Sequence, residues 1–65
     1  MSELTVEELE AVRLQLHNEE NLIRQCTLCA RNASDPQLRA LFEQAAASHK
    51  RHWEVLENLL KSERG

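Results

Sequence analysis

Glycine and proline occur once each in this sequence, tyrosine is absent, and phenylalanine and tryptophan appear once each. With so few turn formers the chain has little means of reversing direction. The residues that remain are good helix formers, so the composition predicts an all-α fold. No apolar run is long enough for a membrane span or a secretory h-region, and the opening MSELTVEELE is acidic. The expectation is a cytoplasmic chain with no membrane partner. Basic residues are scattered, and eight Lys and Arg against eleven Asp and Glu leave a formal net charge of −3. Without a basic stripe, nucleic acid is not expected as a partner. Cysteine is scarce too: Cys26 and Cys29 stand three apart, and in a reducing compartment they read as free thiols instead of a structural disulfide.

Sixty-five residues form one domain at most, and a chain of this size buries only about 60 % of the surface that its unfolded form exposes. Self-association or a metal is therefore expected to add stability. In TVEE, Thr5 can cap a helix while Glu8 reaches back to complete a capping box. Leu9, Val12, Leu16, Ile23, Cys26 and Ala30 then follow at helical spacings. At NASDPQL, Asp35 suits an N-cap, Pro36 suits the first helical position, and the residue before proline is pushed out of the α region. Leu38, Leu41, Phe42, Ala45, His49, His52, Leu56, Leu59 and Leu60 mark a second stripe. The sequence thus predicts helices over about 5–33 and 36–62, each about 40 Å long, joined by a short loop. The product is a single antiparallel helical hairpin over 1–65. One seam would leave Leu22, Leu41, Trp53 and Leu60 off the line of contact. A second hairpin is the natural cover, which makes a homodimeric four-helix bundle the expected assembly.

The line Phe42, Ala45, His49, His52, Leu56, Leu59 alternates three and four, so both histidines are expected on the seam, where polar side chains must find partners. If the turn centres near residue 34.5, facing residues have numbers that sum to about 69. His49 then meets Glu20, and His52 meets His17, itself three residues from Glu20. Glu19 lies closer than Glu20 to the apolar line and can exchange roles with it. The candidate metal ligands are therefore Glu20, His49 and His52, with His17 and Glu19 as additions. Imidazoles with a carboxylate suit a divalent metal such as Fe, Mn or Zn. Both helix midpoints fall near this level, so a two-fold axis at mid-height would pair two such clusters. A rival Cys26-x-x-Cys29 with His49-x-x-His52 zinc site conflicts with the hairpin, which separates Cys26 from His49 by roughly 9 Å along the axis. The alternative for the cysteines is plain packing, and for the histidines a hydrogen-bonded layer that fixes register.

The run LFEQAAASHKRHWEVL resembles the second helix of a ferritin-like, rubrerythrin-type hairpin, where Phe-Glu is followed along the helix by Glu-x-x-His and a Leu. EENLIR resembles the first-helix segment in which a ligand Glu precedes an Arg by four residues, here Glu20 and Arg24. The resemblance covers roughly residues 9 to 60. It implies two hairpins per bundle, each supplying one Glu and one Glu-x-x-His, and hence a homodimer here. It also implies iron as the first metal to expect, with oxidative metal handling or peroxide detoxification as the chemistry. Two departures stand out: His49 occupies the place of the bridging Glu, and Cys26 and Thr27 stand where a tyrosine is often found. A neutral imidazole cannot bridge two metals as a carboxylate does. The chain is also loosely similar to small helical-hairpin proteins of spore-forming bacteria related to spore coat components, which implies a spore-associated, structural alternative without catalysis. Buried histidines would in addition allow a pH-dependent oligomer.

Overall fold

The computed structural model describes residues 3–63. Two helices, α1 (Val6–Asn32) and α2 (Pro36–Glu63), fold back on each other as a hairpin. Thr5 is the N-cap of α1 and takes an extended conformation; its hydroxyl accepts from the Glu8 backbone N–H at 3.0 Å, while Glu8 Oε1 accepts from the Thr5 N–H at 2.9 Å. The expected capping box is present. Because Thr5 caps, helical backbone begins one residue later than the sequence suggests. At the other end Ala33 turns extended (φ −73°, ψ 127°), which stops α1 at Asn32.

The turn is short and well tied. Asp35 Oδ1 accepts from the Gln37 N–H at 2.9 Å, Pro36 opens α2 at a position where its missing N–H costs nothing, and Arg39 Nη2 donates to the Ala33 carbonyl at 2.9 Å. At the far end the Leu4 N–H donates to Glu63 Oε1 at 3.0 Å, so the two rods are clasped at both ends.

One seam joins them. Leu16 and Ala30 of α1 and Ala46 and Leu60 of α2 are the buried apolar residues, with Val12, Ile23, Phe42, Trp53 and Leu56 half-buried around them. On α2 the contact line therefore runs Phe42, Ala46, His49, Trp53, Leu56, Leu60. It shares Phe42, His49 and Leu56 with the line read from sequence but passes through Ala46, Trp53 and Leu60 in place of Ala45, His52 and Leu59. Leu60 and Trp53, expected off the contact, are in it; Leu41 is exposed as expected. Among the described residues no side chain is fully buried, as a molecule 46 × 17 × 12 Å in extent has only one seam to offer. No described helix is long and apolar enough to cross a membrane.

Candidate metal centre

Glu19 lies on the same three-four line of α1 as Leu16 and Ile23, so the periodicity that buries those leucine and isoleucine side chains also carries a carboxylate into the seam. It is the one buried charged residue among those described. A buried carboxylate must be paired to be tolerated. Gln15, one turn earlier on α1, donates from Nε2 to Glu19 Oε2 at 3.0 Å. Across the seam His49 Nδ1 lies 2.7 Å from Glu19 Oε1, and His52 Nδ1 lies 3.5 Å from the same oxygen. The two imidazole rings stand edge to face, with centroids 5.5 Å apart and planes at 86°.

Burial, the largest single influence, pushes the Glu19 carboxyl up, but the hydrogen bonds from His49 and Gln15 and the nearby imidazole charge outweigh it. The net direction is below the usual carboxylate value of 4.5, which keeps Glu19 ionised at neutral pH. An anionic carboxylate against two nitrogen bases is a donor set for a hard or borderline divalent cation.

Among the described residues these three side chains are brought together so that one donor atom from each lies within 4.8 Å of the others. Donors held about 2.0–2.2 Å from one tetrahedral ion lie about 3.4 Å apart, so the widest spacing in the group must shrink and the 2.7 Å His49–Glu19 contact must open for an ion to enter. The His49–Glu19 hydrogen bond occupies the space between two donors, so a proton and a metal compete for it. Exposure rises across the group: the Glu19 side chain is 7 % exposed, His49 25 % and His52 57 %. His52 therefore does not lie in the seam with His49, contrary to the sequence expectation; it stands at the rim, where a further ligand or water could approach.

The structure places Glu20 and His17 elsewhere. One residue along a helix is a rotation of about 100°, which turns Glu20 out of the seam that Glu19 enters. There Glu20 Oε2 accepts from Trp53 Nε1 at 3.1 Å, and its Oε1 lies 3.8 Å from His17 Nδ1. His17 is 77 % exposed, so the expected facing of His17 and His52 is not formed. Cys26 is half-buried in the seam and Cys29 exposed; both are free, and neither joins the group around Glu19. Gln15 is not among the residues that the sequence singles out, although its four-residue spacing from Glu19 is the signal for it. No protein-family model, curated protein or solved structure matches the chain.

Proposed function

We propose that this chain is a metal-binding helical hairpin of ferritin-like type that acts as a homodimeric four-helix bundle. Glu19, His49 and His52 hold one divalent cation, and His52 and the open rim leave a coordination position for an exogenous ligand. The single observation behind this reading is the buried Glu19 carboxylate with two imidazole nitrogens 2.7 and 3.5 Å from one oxygen. Iron is the metal favoured by the ferritin-like resemblance, and zinc or manganese fits the same donors. Oxidative metal handling or peroxide detoxification is the chemistry that the resemblance suggests. The imidazole at position 49 argues for one ion per hairpin instead of a carboxylate-bridged pair.

A second reading has an observation of its own. Both Glu19 oxygens already have partners, Gln15 and His49, so the group also satisfies itself as a polar layer that fixes register in a non-catalytic or spore-coat-type oligomer. Metal analysis of the purified protein separates the two. The metal reading expects near-stoichiometric Fe, Mn or Zn that His49→Ala abolishes; a chain that takes up none after incubation with each ion sinks it.

A further inference from the structure

The two broad sides of the hairpin differ in a way that the seam does not require. One step before each seam position on α1 come Ala11, Gln15, Asn18, Leu22, Gln25 and Cys29, and one step before on α2 come Leu41, Ala45, Ser48, His52, Val55 and Leu59. Each line keeps an unbroken four-three alternation without one Asp, Glu, Lys or Arg, in a chain that is 29 % charged. One step after the seam come Arg13, His17, Glu20, Arg24, Thr27 and Arg31 on α1, and Glu43, Ala47, Lys50, Glu54, Glu57 and Lys61 on α2, so nine of these twelve are Asp, Glu, Lys or Arg. The groove in which Thr27 and Arg31 of one line meet Glu43, Ala47 and Lys50 of the other, over the seam residues Ala30 and Ala46, puts the charged lines together on one side. The uncharged lines consequently share the other.

We infer that the uncharged side is where a second copy of this chain packs, over His52; this rests on the homodimer reading and names its interface. Four arguments converge. Leu41 and Val55 are 61 % and 68 % exposed there, and Leu22 and Leu59 are half-exposed. Heptad spacing makes such lines a second seam of the kind that a four-helix bundle needs. The side measures about 46 by 17 Å, so a stable interface of roughly 800 Å² per partner would have to run along most of its length. Finally, the cluster around Glu19 sits at mid-height of both helices and opens toward this side through His52. A two-fold axis through mid-height therefore brings both copies of His52 to the interface and shields them from water.

Sedimentation of the full chain in EDTA tests this. The wild type is expected near twice its 7.5 kDa mass. Leu41→Glu, on an exposed residue two turns or more from any ligand, and Val55→Glu, on an exposed residue one turn beyond His52, are expected to weaken association at least about a hundredfold with helicity unchanged, since a charge buried without a partner is penalised by several kcal/mol. Ala47→Glu on the charged side is expected to leave it within about twofold, as surface changes outside an interface do. Diethylpyrocarbonate should modify His17 and spare His52 in the wild-type dimer, and modify both in Val55→Glu. A monomeric wild type overturns the inference, as does association lost in Ala47→Glu but kept in both flank variants, or a dimer in which His52 reacts as fast as His17. Zn²⁺ titration keeps the two ideas apart: a dimer that passes these tests and takes up no Zn²⁺ ends the metal reading alone, while a monomer that binds Zn²⁺ ends the interface alone.

Discussion

Two of the histidine–glutamate pairs lie at the same height and have little in common beyond their side chains. His17 and Glu20 share one helix, three residues apart, with the ring 3.8 Å from the carboxylate and both exposed. His49 and Glu19 come from different helices, lie 2.7 Å apart, and are enclosed by the seam. The first pair needs only helix geometry to exist, so it is worth at most a few tenths of a kcal/mol in water. The second exists only when the hairpin is closed, and its carboxylate has little access to solvent as an alternative partner. Residue type and spacing are thus poor guides; position relative to the seam is what separates a surface contact from a buried cluster.

The contrast can be broken most sharply at the two adjacent glutamates. Glu19→Gln keeps the shape but removes the anionic donor, and on the proposed metal reading the Zn²⁺ dissociation constant measured by competition with a chelator is expected to rise by more than about 100-fold, beyond the 10–100-fold typical of supporting residues. Glu20→Gln is expected to change it by less than about twofold, the size of an exposed neighbour's influence. Equal losses in the two variants would mean that the ion sits on the flank instead.

Acid should distinguish the pairs next. Since the Glu19 carboxyl is held below its usual value in the folded chain, its contribution to stability is complete above about 4.5 and is lost as pH falls through the lowered folded value. Urea unfolding of the metal-free protein at pH 7 and pH 3 is expected to show a stability drop that Glu19→Gln reduces and Glu20→Gln leaves alone. If Glu20→Gln reduces the drop as much, the buried pairing is not its source. A smaller effect is expected at Gln15. Removing its amide with Gln15→Ala takes one hydrogen bond from a buried carboxylate, about 1–2 kcal/mol by urea midpoint and about tenfold in Zn²⁺ affinity. His17→Ala, by comparison, should stay within about 0.5 kcal/mol.

Much of the fold was legible because its signals are local. Thr5 with Glu8 and Asp35 with Pro36 fix where helices begin through bonds spanning three residues or fewer, and both are present. The partner of His49 was misplaced by one residue for a physical reason. The turn occupies residues 33–35 and centres on 34, so facing numbers sum to 68 instead of 69. That half-residue matters, because a neighbouring position on a helix points about 100° away. A similar degeneracy hid the true contact line on α2: Phe42, His49 and Leu56 belong equally to a line through Ala45, His52 and Leu59 and to one through Ala46, Trp53 and Leu60. Both are apolar enough to be buried. Only packing against α1 chooses between them, and it leaves the first line facing outward, where it acquires the different meaning argued above.

The clasp between Leu4 and Glu63 has a consequence for how the hairpin breathes. With the turn tied at one end by Asp35 and Arg39 and the other end pinned by Glu63, neither pair of helix ends can peel apart without first breaking a tertiary hydrogen bond. Opening must travel inward some 20 Å from either side before it reaches Glu19, by the half-length of a rod of this size. Amide hydrogens in the turns around Glu19 and His49 should accordingly be the slowest to exchange, and the slot between the two helices should be the last place where solvent arrives.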